Sequence, residues 1–201
     1  MRQRLRVAAV GYTNAWPLTR FLDRERFEVI ECVPSEAAKK MRLGEADLGL
    51  IPVAALLTDG DWKVAPGLAI GCDGEVASVL LVGEKPLSEW DTVALDGESR
   101  TSVVLAQILL KGPLGRPDMK IVPVDAGSGA FHAQGNTGAV VIGDAAMNLP
   151  ERLKVRIDLG KVWKDWTGLP FVFAVWASRV PLEPEDVAAL RAAAERGMVE
   201  R

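Results

Sequence analysis

Histidine is nearly missing from these 201 residues: His132 is the only one, and cysteine is limited to Cys32 and Cys72. Without a second histidine, or a cysteine pair at metal-ligand spacing, the chain has no ligand set for zinc or a related metal. Neither a metal nor a cofactor is expected. Each cysteine stands alone in an apolar, strand-like segment, which suits a buried thiol in a reducing compartment better than a disulfide framework. Long apolar runs are absent too: nothing approaches the ~20 residues of a membrane span. The opening "MRQRLRVAAVGY" has too short an apolar run for a secretory signal. A soluble, cytoplasmic protein is expected. Nor does positive charge predominate, since 24 Lys and Arg face 27 Asp and Glu for a net charge of -3. Nothing general therefore drives binding to nucleic acid or to an anionic membrane, and the expected partner is a small molecule. No G-x-x-x-x-G-K-[ST], G-x-S-x-G or complete G-x-G-x-x-G follows a strand, which removes support for nucleotides, flavins and hydrolase triads. The fragment "AGSGAF" reads as a flexible loop.

What is present is a chain nearly half apolar, long enough for one large domain or two small lobes. Short apolar runs bounded by turn residues recur: "LRVAAVG", "FEVIECV", "LGLIPV", "LAIG", "SVLLVG", "TVALD", "IVPV", "AVVIG" and "FVFAVWAS". They read as buried strands. Helices are expected over Trp16–Leu22, Ser35–Leu43, Val53–Leu57, Thr101–Leu110, Asp144–Asn148 and Glu183–Arg196. Strands alternating with helices give an α/β chain with mainly parallel sheet. The alternation breaks near Gly71–Val76 and again near Trp163–Pro170. Two lobes follow, 1–73 with 168–201 and 74–167, with a ligand site expected between them at strand C-terminal ends.

The strand-to-helix corners hold the candidate site residues. In "GYTNAWPL", Pro17 suits a first helical turn and Asn14 a cap. Alternatively the Asn14 amide, a donor and an acceptor, fixes a polar substrate while Tyr12 and Trp16 wall the pocket. In "LDGESRTSVVLAQILLK", Ser99, Thr101 and Ser102 cluster where a helix begins, and its N–H groups, hydroxyls and dipole suit a carboxylate or phosphate. Three hydroxyls are more than a cap uses. Ser78 opens a strand after the first break, facing either the cleft or solvent. Gly143 and Asp144 in "VIGDAAM" stand where a strand meets a helix, with Asp144 suited to capping. Ser35 reads as a helix N-cap.

These blocks, in order over residues 5 to 178, resemble the MqnA-type chorismate dehydratases of the futalosine route to menaquinone. "GYTNAWPL" is similar to the family's S-Y-L-N-x-x-P-L. "VPSEAAKKMRLGEADLGLIPV" resembles P-S-x-L-A-x-x-L-x-x-G-x-x-D-x-x-L-x-P, and "ALDGESRTSVVLAQILL" resembles L-D-x-x-S-x-T-S. "VIGDAAM" and "DLGKVWKDWTGLPFVFAVWA" match two further blocks. The resemblance implies a two-lobed fold like type II periplasmic binding proteins and the conversion of chorismate to 3-[(1-carboxyvinyl)oxy]benzoate and water. It points to Asn14, Ser78, Ser99, Thr101, Ser102 and Thr167 as pocket residues. Two rivals share the architecture: an anion-binding protein without chemistry, and 1,4-dihydroxy-6-naphthoate synthase, whose opening motif "GYTNAWPL" does not resemble.

Overall fold

The computed structural model describes residues 4–58, 60–97 and 99–200. The chain divides into two compact units, one running to Ile70 and resuming at Val172, the other Gly71–Phe171. Among the described residues no helix is long and apolar enough to cross a membrane.

The first unit is built on β1 (Leu5–Val10), β2 (Phe27–Cys32), β3 (Leu48–Pro52), β4 (Lys63–Cys72) and β10 (Phe171–Ser178). Their order in the sheet is β2-β1-β3-β10-β4. β1 runs parallel to β2 and β3, while β10 returns antiparallel to β3 with Trp176 opposite Leu50. Because successive strand residues point to opposite faces, the apolar runs supply two cores at once. Val7, Leu50 and Trp176 share one core with α1 (Trp16–Thr19) and α8 (Pro184–Val199). Ala8, Ile51 and Val175 share the other with α2 (Pro34–Arg42) and α3 (Val53–Thr58). Ion pairs between residues far apart in the chain brace the unit. Arg6 grips Asp47 through Nη2 to Oδ1 at 2.7 Å and Nε to Oδ2 at 3.1 Å, which holds the Asp47 carboxyl below the usual carboxylate range. Arg26 meets Asp186, only 2% exposed, at 2.8 Å.

The helix expected over Trp16–Leu22 is shorter. A 3₁₀ turn at Thr13–Ala15 leads into α1, and α1 stops at Thr19. The Asp23 turn competes for the chain beyond it: its carboxylate accepts the Glu25 N–H at 2.9 Å and its carbonyl accepts those of Arg26 and Phe27. α2 is preceded by Val33 as N-cap, which puts Ser35 inside the helix instead of at its cap.

The second unit orders its strands β7-β6-β8-β5-β9. They are β5 (Val79–Gly83), β6 (Thr92–Asp96), β7 (Lys120–Val124), β8 (Thr137–Ile142) and β9 (Val155–Asp158). Its helices are α4 (Arg100–Lys111), α5 (Gly129–His132), α6 (Asp144–Met147) and α7 (Leu159–Thr167). Trp90, 2% exposed, lies flat against two neighbouring strands at Gly83 and Gly138. A Cβ at either glycine would come within 2.7 Å of the indole ring, so glycine is required at both. The indole N–H is satisfied by the Lys85 carbonyl at 2.8 Å.

Candidate active site

In the first unit, β1 runs straight into the turn that carries Tyr12, Asn14 and Trp16. The N–H groups of Ala15 and Trp16 both bond to the Tyr12 carbonyl, at 2.8 and 3.2 Å, which winds this corner tightly. Ala15 is buried beneath it, whereas Asn14 is exposed and Tyr12 half-buried. Asn14 lies inside the 3₁₀ turn and caps no helix. No described residue hydrogen-bonds its amide, which leaves both donor and acceptor for a ligand. Trp16 is 48% exposed and lines a cavity of about 340 Å³ with Val10, Gly11, Thr19, Arg20 and Glu31. Tyr12 and Asn14 do not line that cavity.

In the second unit, β6 and β8 are parallel, and β5 and β9 form an antiparallel run beside them. The ends of β6, β8 and β9 and the start of β5 therefore lie on one edge of the sheet. That edge gathers Ser99, Thr101 and Ser102 after β6, Gly143 and Asp144 after β8, and Ser78 before β5. Ser78 is half-buried, and its carbonyl accepts the Gly143 N–H at 2.8 Å. Ser99 is the N-cap of α4. Its Oγ accepts the Ser102 N–H at 3.3 Å and donates to Ser102 Oγ at 2.9 Å. Thr101 and Ser102 are buried, at 3% and 1% exposure. Two of the three hydroxyls are thus engaged with each other, and the anion-binding character of this end rests on the helix terminus as a whole.

Asp144 does not cap α6. Gly143 holds the N-cap position at φ +61°, and Asp144 follows it, exposed, in the first turn. Gly143 is needed there because a side chain at positive φ is strained. Thr167 lies elsewhere in this unit. Its hydroxyl donates to the Trp163 carbonyl at 2.8 Å and accepts the Leu169 N–H at 3.1 Å, closing the far end of α7. Trp166 beside it packs at Gly112, which ends α4 at the opposite end from Ser99. The structure does not bring Thr167 to the first turn of α4.

Two carboxylates that shape this edge escaped the sequence reading. Asp96, 3% exposed at the end of β6, accepts N–H groups from Gly127 at 3.0 Å and Gly129 at 3.2 Å. Asp158 caps α7 by accepting the Lys161 N–H at 2.9 Å, and it also takes the amides of Val76 at 3.0 Å and Ala77 at 2.7 Å. An Asp ahead of "LGKVWKDW" with Gly168 behind is a legible helix signature. The Gly-rich segment read as a flexible loop is tied at both ends: by Asp96 at its start, and at its end by Arg152, which donates to the carbonyls of Ala130, at 2.7 Å, and Ala133. Glu84 completes that end. It pairs with Arg152 at 3.0 Å and accepts the Gly135 N–H at 2.7 Å, and these contacts, the amide first, hold its carboxyl below the usual range. His132 belongs to this segment, outside the candidate cluster. Among the described residues no three His, Cys, Asp or Glu side chains gather as a metal would require.

Comparison with known proteins adds a family and a fold. A family model described as menaquinone biosynthesis matches residues 5–199. A chorismate dehydratase from Thermus thermophilus is 33% identical over 207 residues, covering 93% of this chain and 75% of that protein. Among solved structures, protein AF1704 from Archaeoglobus fulgidus superposes with a TM-score of 0.72 at 17% identity, covering 98% of this chain and 76% of that one. YhfZ from Shigella flexneri gives 0.65 at 16% identity, covering 100% and 91%. The effector-binding domain of a BenM variant gives 0.55 at 13%, covering 99% and 96%. The fold is the two-lobed α/β fold of type II periplasmic-binding-protein-like domains.

Proposed function

We propose, from the fact that the chain belongs to the menaquinone biosynthesis family, that it is a chorismate dehydratase, a carbon–oxygen lyase acting in the cytoplasm on the futalosine route. The observation that carries this reading is its likeness to the Thermus thermophilus enzyme along nearly its whole length. The reaction converts chorismate to 3-[(1-carboxyvinyl)oxy]benzoate by loss of the C3 proton and the C4 hydroxyl, which leave together as one water. Negative charge that develops as the proton departs spreads through the ring diene into the ring carboxylate. Donors fixed at that carboxylate then stabilise the transition state more than the bound substrate.

In this reading the first turn of α4, with Ser99, Thr101 and Ser102, takes the ring carboxylate, and Gly143 and Asp144 border the same edge. The polar ends available for orientation are the Asn14 amide and the Ser78 hydroxyl. Neither is basic enough to deprotonate carbon. The substrate's own enolpyruvyl carboxylate is therefore the proton acceptor, with Asn14 and Ser78 holding its geometry, so that the rate rests on orientation more than on a tuned side-chain pKa. Tyr12 and Trp16 supply apolar wall, and Thr167 acts at a distance by closing α7. The test is direct. The protein incubated with chorismate alone should give a product lighter by one water in mass spectrometry; binding without that loss identifies an anion-binding protein instead.

A further inference from the structure

Near its end, helix α8 meets α1, which starts two residues after Asn14. Its buried residues Leu190, Ala193, Ala194 and Gly197 recur at three- and four-residue intervals and so form one face. That face diminishes from a leucine to no side chain at all where it reaches α1. A Cβ at Gly197 would stand 2.6 Å from Pro17 Cα and 2.7 Å from its carbonyl carbon, so the two helices meet backbone to backbone. The rest of α8 is held in place. Asp186 in its first turn is buried and paired with Arg26 at 2.8 Å, and the Arg196 guanidinium lies 4.2 Å from the Phe21 ring centroid.

Pro17 directly follows Trp16, and the N–H groups of Ala15 and Trp16 both bond to the Tyr12 carbonyl, so this short turn passes a shift of Pro17 on to Asn14. Ala15, between them, is fully buried in the same core as Ala193 and Ala194. The level at which α8 meets Pro17 thus sets the level of the Asn14 amide. We infer that Gly197 is a positioning residue for Asn14: the absent side chain lets α1 settle onto α8 at the depth the substrate-orienting amide requires. This rests on the reading of Asn14 given above.

The experiment uses ¹⁵N-labelled whole chain in two variants, Gly197→Ala, which overfills the contact, and Ala193→Gly, which loosens the same face and so guards against a misfolded first variant. The Asn14 side-chain amide resonances should shift in both, while those of Asn136 and Asn148 in the other unit stay put. Kinetically, kcat for chorismate should fall about tenfold with KM unchanged, as for a misplaced orienting group. The same substitution placed on the residual rate of Asn14→Ala should cause no further fall. An unmoved Asn14 amide in both variants, or an equal loss of kcat in both backgrounds, overturns the inference. If the unmodified chain converts no chorismate, the function reading fails, and the amide resonances alone decide whether Gly197 positions Asn14.

Discussion

Asp158 holds the amide of Ala77 at 2.7 Å while it caps α7, so one carboxylate links the helix start to the bend just before Ser78. Ala77 is in the left-handed region, at φ +59°, and among the described residues it is the one non-glycine there. Asp158→Ala should cost about 1 to 2 kcal/mol for the lost cap alone, with more for the stranded amides. Ala77→Gly should leave the melting temperature unchanged or raise it, because glycine adopts this conformation without strain. Thermal denaturation of the two variants checks both; a stable Asp158→Ala would show that the carboxylate is dispensable to the bend.

Asn14→Ala should lower kcat by about a hundredfold, the scale expected when a substrate loses its orientation. The melting temperature should not move, since the side chain is exposed and bonded to no described residue. Steady-state kinetics with a parallel melt separates the two effects. Undiminished turnover would remove Asn14 from the mechanism.

Ser102→Ala and Thr101→Ala should each weaken chorismate binding by about 1 to 3 kcal/mol if each hydroxyl contributes a hydrogen bond to a charged group. Calorimetric titration measures this. Because Ser102 also bonds to Ser99, its variant should melt lower as well, and ordinary chorismate affinity in both variants would move the anion site away from α4.

An analogue of chorismate with its enolpyruvyl carboxylate converted to an amide should bind but lose no water, since an amide is far too weak a base. Binding by calorimetry and product by mass form the pair of measurements. Normal turnover of the amide would redirect the search for a base to protein carboxylates, with Asp144 the first to replace.

Acid should release the Arg6–Asp47 pair. Asp47 has its folded-state pKa lowered, chiefly by the hydrogen bond from Arg6, so its contribution is fully present above the unfolded value of about 3.9 and is lost as pH falls through the lower folded value. The stability gap between the unaltered chain and Asp47→Asn should therefore be constant near neutrality and close below about pH 4. A gap that persists into strong acid would assign the effect to packing.

Most strands were legible because strands buried on both faces are unbroken apolar runs, as in "LGLIPV" and "SVLLVG". β9 was not, since "VRID" is four residues with two charges and gains its place only by pairing with β5. α7 was hidden by reading Trp163–Pro170 as a crossing, although Asp158 and Gly168 mark its ends. The clustering of Ser99, Thr101 and Ser102 was visible from local signals, as was Asn14 in its corner. The roles of Asp96 and Arg152 were not, because their partners lie 31 to 33 and 19 to 22 residues away and nothing local announces them. Asp144 illustrates the opposite failure: its residue type favours a cap, yet the glycine before it takes that position.

The place of β10 between β3 and β4 governs how this chain must be assembled. The second unit is one continuous stretch, so its strands can pair as soon as the ribosome has released them. The first unit cannot fill the middle of its own sheet until β10 emerges, more than a hundred residues after β3. Until then β3 and β4 expose unpaired edges and the socket for Trp176 stands empty, a state open to aggregation. Refolding from denaturant should accordingly be paced by this long-range closure, and a nascent chain arrested before Phe171 should present a protease-resistant second unit attached to a digestible first one.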